Sequence, residues 1–203
     1  MKQPMSFDLC VSTAARALAD PGFFILDHAL LETDYQLLQS ECLQALSSSA
    51  RPAKISEGSE AGVRENEIVW IGEDHPAGEA FLNALMRVAA TLAPELFISI
   101  QSVEGHFAHY GPGAFYKTHS DNPEGRGNRL LTAVFYFNDN WQAGDGGELR
   151  IEGADALVAP LGNRLVIFDS RIAHEVLVSH SNRTSIAAWL RRDTPMALPK
   201  LAL

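Results

Sequence analysis

Cysteine is scarce in this sequence: Cys10 and Cys42 are its two thiols in 203 residues. They give no disulfide framework, which suits a reducing compartment, and both read as plain buried or half-buried side chains. Positive charge is also short. Sixteen Lys and Arg face 25 Asp and Glu, a net charge of −9, which disfavours a nonspecific polyanion partner such as DNA or RNA and suits a peptide or protein substrate. No apolar run is long enough to span a bilayer, and the start, Met1-Lys2-Gln3-Pro4-Met5, lacks the apolar core and cleavage site of a signal peptide. A cytoplasmic protein with no membrane or nucleic-acid partner is expected. Repeats and low-complexity tracts are absent as well.

What is present is ordinary globular material, 46% apolar and 20% charged, of a length that suits one domain over 1–203. Residues 1–96 read as helical support plus a loop. Ser12 to Asp20 is a short helix capped by Ser12 or Thr13, Phe23 to His28 a strand, and Glu32 to Ser48 an amphipathic helix with Leu30, Tyr35, Leu38, Cys42 and Leu46 inward. Ser47 through Gly62 is rich in Ser, Ala, Gly and charge and reads as a surface loop. Glu67 to Ile71 is a strand, His75-Pro76 a turn, and Gly78 to Leu92 a helix with Phe81, Leu85, Val88 and Leu92 spaced for burial. His28 and His75 read as a strand-end and a turn residue.

From residue 97 the pattern changes to strands: Ile98 to Tyr110, Phe115 to Asp121, Arg129 to Asn138, Glu148 to Glu152, Leu157 to Pro160, Arg164 to Asp169, Glu175 to His180 and Ser185 to Arg192. Eight short strands after a helical half predict an α+β, mainly β fold. Its core over 97–192 would be a double-stranded β-helix, or jelly roll, buttressed by the N-terminal helices. The glycine-rich turns lack the strand-to-helix setting of a phosphate-binding loop.

The chemistry is concentrated in Ala108 to Arg192. His119-Ser120-Asp121 sits in an extended run, where side chains two apart share a face, so both can grip one ion. His174 follows in a pair of apolar strands that can return it beside them. Two imidazoles and one carboxylate are the facial set that leaves half of an Fe(II) octahedron open, the ligand pattern of an oxygenase. Nine residues on, Arg183, Ser185, Ala187 and Trp189 alternate on one face suited to a cavity wall. An arginine fork matches a carboxylate bidentately, so a dicarboxylate could chelate the metal at one end and meet Arg183 at the other. A His-x-Asp triplet alone is common, and the ordered set is what carries weight. His106 and His109, just upstream, are also candidates for a metal test.

On these residues the sequence resembles the 2-oxoglutarate- and Fe(II)-dependent prolyl hydroxylases of the oxygen-sensing type and their bacterial relatives. The matching text is His119-Ser120-Asp121-Asn122-Pro123, Phe135 through Trp141, Gly146 through Ile151, His174-Glu175-Val176, Arg183 through Trp189 and, upstream, Arg64 through Trp70. The resemblance implies metal ligands at His119, Asp121 and His174. It places a 2-oxoglutarate clamp at Arg183 with Tyr136, Tyr110 lining the same pocket, and apolar walls at Leu149 and Val176. Arg129 and Trp189 match positions near a substrate proline, and Tyr116 lies near the pocket mouth. The family's loop over the peptide substrate corresponds to Ser47–Gly62. Departures are a Tyr110–His119 loop one residue shorter, an Asp121–Arg129 loop one longer, and Ala187 in place of a hydroxyl residue that supports the cosubstrate.

The implied activity is a dioxygenase that consumes 2-oxoglutarate and O2 over Fe(II), with ascorbate as a stimulant, releases succinate and CO2, and hydroxylates a prolyl residue at C4. The implied partner is a protein substrate, for which the bacterial relatives suggest elongation factor Tu. Two other classes stay open: a 2-oxoglutarate oxygenase acting on a free amino acid, another side chain or an alkylated base, and a noncatalytic jelly-roll module keeping a metal pocket as a sensor.

Overall fold

The computed structural model describes residues 4–52, 64–122, 127–154 and 157–193. Among these residues three helices and ten strands follow in the order α1 (Val11–Ala19), β1 (Phe23–Leu26), α2 (Glu32–Ser49), β2 (Arg51–Pro52), β3 (Glu67–Trp70), α3 (Pro76–Glu95), β4 (Ser102–Tyr110), β5 (Tyr116–His119), β6 (Arg129–Tyr136), β7 (Leu149–Ile151), β8 (Leu165–Asp169), β9 (His174–Val176) and β10 (Arg183–Arg191). The strands form two antiparallel sheets, one ordered β1-β8-β6-β10-β4-β3-β2 and a smaller one ordered β5-β9-β7.

Strand alternation decides the layering. On the large sheet, Phe107, Leu131, Ala133, Phe135, Leu165, Ile167, Ile186, Ala188 and Leu190 point one way and pack with the helix residues Ala14, Leu18, Leu38, Phe81, Leu85 and Leu92. The alternate residues Val134, Tyr136, Val166 and Phe168 point the other way, against Leu149 and Ile151 of the small sheet. The large sheet is therefore covered on both faces, with helices on one side and the second sheet on the other. Each fully buried Leu, Ile or Phe contributes roughly 1.5–3 kcal/mol of transfer free energy, so this double-faced packing fixes the strand register. A one-residue slip would exchange the two faces.

The helices follow the expected pattern with shifted ends. α1 begins one residue early, with Cys10 at the N-cap and no side-chain cap, so neither Ser12 nor Thr13 plays the expected role. α2 buries Tyr35, Leu38 and Cys42. α3 begins at Pro76, where a missing N–H costs nothing. The Glu41 carboxylate of α2 accepts the next two amides, Ala77 N at 3.0 Å and Gly78 N at 2.7 Å, so a neighbouring helix caps α3 and lets it start before the sequence pattern does. His75 is that helix's N-cap residue, in the turn expected of it, whereas His28, expected at a strand end, lies in a bend at φ 50° two residues after β1 ends at Leu26.

Two expected strands are corrected. Leu157 to Pro160 gives one isolated bridge, Val158 with Leu149, because Pro160 has no amide with which to continue a ladder. The strand expected through Asp121 ends at His119, and β5 meets β9 with a register irregularity between Tyr116 and His119. Asp121 is thus delivered by a bend rather than by strand alternation. Of the loop expected over Ser47–Gly62, residues 47–49 end α2, 51–52 form β2, and 53–62 lie outside the described residues.

Candidate active site

Between the sheets lies a cavity of about 900 Å³ whose wall includes His119, Asp121, His174, Arg183, Tyr110, Tyr116, Arg129, Leu149, Val176 and Trp189. The pocket-facing residues of three neighbouring strands build its floor: His106, Ala108 and Tyr110 of β4, Thr132 and Val134 of β6, and Ser185, Ala187 and Trp189 of β10. The small sheet supplies the opposite wall.

At one end the register of β5 against β9 puts His119 directly opposite His174. One ligand atom from each of His119, Asp121 and His174 lies within 4.8 Å of the others, the only such group of His, Cys, Asp and Glu among the described residues. Asp121 oxygens stand 3.9 Å from His119 Nε2 and 3.6 Å from His174 Nε2. Both Nδ1 atoms face backbone carbonyls, His119 with Lys117 O at 2.8 Å and His174 with Ile172 O at 3.0 Å. A carbonyl only accepts, so each Nδ1 carries a proton and points it at the backbone, which leaves each Nε2 facing Asp121. Burial, with the neighbouring His174, pushes the His119 pKa down to about 4. The ring is thus neutral and ready to ligate near pH 7. Burial opposes ionisation of Asp121, but His174 and the Thr132 hydroxyl outweigh it and keep the carboxyl below its ordinary range; Thr132 Oγ1 donates to Oδ2 at 2.8 Å. These donors fit a divalent transition metal such as Fe(II).

Arg183 is 3% exposed. Its Nε donates to Gly147 O at 2.8 Å, its Nη1 to Ser185 Oγ at 3.2 Å, and its guanidinium carbon lies 4.8 Å from the Tyr110 ring and 5.0 Å from the Tyr136 ring. Among the described residues no carboxylate pairs with it. Gly147, at φ +73°, permits the approach, since a Cβ there would stand 2.8 Å from Arg183 Cδ. Tyr136 is fully buried behind Arg183, and among the described residues its hydroxyl makes no hydrogen bond of regular geometry. An uncompensated buried cation costs several kcal/mol, so this end of the cavity is built for an anion.

Beside the His119–Asp121–His174 group Tyr116 stacks on His119, ring centroids 3.6 Å apart at 17°. Arg129 lies flat on Trp189, its guanidinium carbon 3.6 Å from the ring, and its Nε and Nη2 donate to Glu104 at 3.0 and 2.9 Å. His106 sits between Trp70 and Trp189 in edge contacts of 5.2 and 5.4 Å. It belongs to the wall and not to the metal group; His109 belongs to neither. Ser185 stands on the cavity wall, as its alternation with Arg183, Ala187 and Trp189 predicts; Thr132, Glu104 and Trp70 are residues at the site to which sequence reading gave no role. Thr132 had one available signal, a hydroxyl in an apolar strand at the same parity as Tyr136.

A family model described as the 2OG-Fe(II) oxygenase superfamily matches residues 105–191. Human "Prolyl hydroxylase EGLN3" is 30% identical over 190 residues, covering 85% of this chain and 79% of that one. The chain belongs to this oxygenase family, among its prolyl hydroxylases. The oxygenase also superposes on the crystal structure of a Pseudomonas putida prolyl-4-hydroxylase with TM-score 0.81 and 31% identity, covering 90% of this chain and 99% of that one. It shares its fold with a Trichoplax adhaerens prolyl hydroxylase solved with a hypoxia-inducible factor peptide, TM-score 0.82 at 24% identity, covering 90% and 89% of the two chains. No helix among the described residues is long and apolar enough to cross a membrane.

Proposed function

We propose that this oxygenase hydroxylates C4 of a prolyl residue in a protein substrate, at the expense of 2-oxoglutarate and O2, with succinate and CO2 as the other products. The observation that carries the reading is Arg183, a buried guanidinium without a counter-ion in the same cavity as the His119–Asp121–His174 group. A dicarboxylate that chelates a metal at one end and meets Arg183 at the other satisfies both. The relatives support proline as the target and a protein as its carrier. Elongation factor Tu is the first substrate to test, in the cytoplasm and with ascorbate present. In this reading the chain is one oxygenase domain on a double-stranded β-helix.

His119, Asp121 and His174 would hold Fe(II), which supplies activation of O2 with 2-oxoglutarate as reductant. The protein's residues do the positioning. Arg183, stacked on Tyr110 and backed by Tyr136, binds the distal carboxylate of 2-oxoglutarate. Leu149 and Val176 keep water from its carbon chain. Thr132 fixes the orientation of Asp121 by donating to its Oδ2. Arg129 on Trp189, with Tyr116 opposite, seats the proline so that its ring carbon faces the metal side of the pocket.

The test is titration of the anaerobic Fe(II) protein with 2-oxoglutarate. A visible charge-transfer band that is lost in His174→Ala is the expected result, followed by a gain of one oxygen on a proline of purified elongation factor Tu. Iron binding with no band would overturn the cosubstrate, and a band without prolyl oxidation of any cellular protein would overturn the substrate class.

A further inference from the structure

Four arginines stand in the cavity wall, Arg51, Arg64, Arg129 and Arg183, against one carboxylate, Asp121. This is the reverse of the chain's net charge of −9. Three of the four are accounted for. Arg183 is committed to the cosubstrate end, Arg129 is paired with Glu104, whose Oε1 it shares with Arg191, and stands 3.9 Å from Asp121, and Arg51 sits exposed on β2 at the rim.

Arg64 is different. Its Nε donates to Asn66 Oδ1 at 2.5 Å, its Nη2 lies 3.5 Å from His106 Nε2, and its guanidinium carbon lies 4.8 Å over the Tyr116 ring. All three partners are neutral: an amide, an aromatic face, and a buried imidazole that burial and the Arg64 charge itself keep unprotonated. No carboxylate among the described residues pairs with Arg64. The guanidinium is oriented from several sides, yet its charge is left unspent inside a pocket wall. Orientation without neutralisation is how a protein prepares a cation for an incoming carboxylate.

Its position tells which carboxylate. Tyr116 has His119 stacked on one face at 3.6 Å, so Arg64, 4.8 Å from the ring centre, takes the other face. Arg64 is therefore one ring thickness away from a candidate metal ligand. An extended peptide rises about 3.4 Å per residue, so the offset from His119 to Arg64 corresponds to about two or three residues.

We propose that Arg64, held by Asn66, His106 and Tyr116, is a subsite for an acidic side chain of the substrate, and that the enzyme selects prolines with Asp or Glu about two or three positions away. The proposal rests on the prolyl-hydroxylase reading above and adds the substrate's charge to it. Arg51 at the rim reinforces the field without fixing the position.

The probes are synthetic decapeptides with one central proline in an Ala/Gly background, carrying Glu, Gln or Lys at each position from three before to three after. Their binding to the iron- and 2-oxoglutarate-loaded protein is measured anaerobically by anisotropy of a fluorescent label, and their oxidation in air by the mass gain of one oxygen. At one position Glu binds about tenfold or more tightly than Gln, as a charge-assisted contact requires, and Lys binds weakest. The preference vanishes in Arg64→Gln, persists in part in Arg64→Lys, and inverts toward Lys in Arg64→Glu. A preference that survives Arg64→Gln in folded protein, or equal binding of the Glu, Gln and Lys peptides, overturns the subsite. Oxidation without charge preference rejects the subsite and leaves prolyl hydroxylation standing. Charge-selective binding with no oxidation of any peptide does the reverse.

Discussion

Arg183→Met separates what the site contributes to stability from what it contributes to binding. The substitution keeps an unbranched stem and removes the charge. Gly147 O and Ser185 Oγ each lose a donor, at about 1–3 kcal/mol for a buried group left unpaired. Against this, removing a buried cation with no counter-ion relieves a penalty of several kcal/mol. The two nearly cancel, so the ligand-free variant should melt within about 4 °C of wild type, where 1 kcal/mol moves a chain of this size by about 2–4 °C. Ligand linkage behaves oppositely. At 100 times its dissociation constant a ligand stabilises by about 2.7 kcal/mol, so 2-oxoglutarate should raise the wild-type melting point by about 5–11 °C with Mn(II) bound. Losing one partner of a buried charge pair costs about 2–5 kcal/mol, which erases that rise in the variant at the same concentration. Calorimetry of both proteins with and without 2-oxoglutarate measures all four numbers. A ligand-free variant destabilised by more than about 3 kcal/mol would show that Arg183 is a structural residue, and an undiminished ligand-induced rise would show that the dicarboxylate does not meet it.

Three further outcomes follow from the same geometry. Thr132→Val removes the donor to Asp121 Oδ2 at nearly constant volume and should weaken Mn(II) or Fe(II) binding about 10–100-fold, as loss of a ligand-orienting hydrogen bond does, read by calorimetric titration. Gly147→Ala places a Cβ at φ +73° and 2.8 Å from Arg183 Cδ. It should destabilise the fold by more than about 1 kcal/mol and raise the dissociation constant for 2-oxoglutarate together with it. Acid should destabilise the metal-free protein in a defined window. Burial holds the native pKa values of His119 and His106 down to about 4 and about 3, while the unfolded imidazoles titrate near 6.5. Below about pH 6.5 the unfolded chain therefore binds more protons, and stability falls as pH drops toward 4, by up to roughly 1.4 kcal/mol per pH unit for each ring. Urea midpoints from pH 7.5 to 4.5 should show this, and His106→Phe should flatten the slope by about one proton; an unchanged slope would mean that His106 charges in the native state.

The fold was legible where a residue's two neighbours along the strand agree about which way it faces. In Arg183 through Arg191, polar and small residues alternate with Ile186, Ala188 and Leu190, and the structure assigns the first set to the cavity and the second to the helix side. The helices were legible for the same reason at a period near 3.6. What failed were boundaries set by partners elsewhere in the chain. The start of α3 depends on Glu41, about 35 residues upstream, and the end of the Val158 pairing depends on how few amides follow it before Pro160. Neither is a local property of the segment concerned.

The candidate site divides along the same line. His119, Asp121, His174 and Arg183 could be named from the sequence because a metal and a dicarboxylate demand particular atoms, and few residue types supply them. Their mutual placement needed the sheets, and even the strand argument for Asp121 gave way to a bend that reaches the same place. The substrate end had no such chemical signature, since Arg64, Trp70, His106 and Glu104 are residue types that decorate any surface. Only the register of β3 beside β4, which sets Trp70 opposite His106, and of β4 beside β10, which sets Glu104 opposite Trp189, gathers these side chains at one end of the cavity. A wall assembled from cross-strand pairs can change its charge by single substitutions that leave the metal end untouched, because each such side chain is held by a register that its own charge does not set.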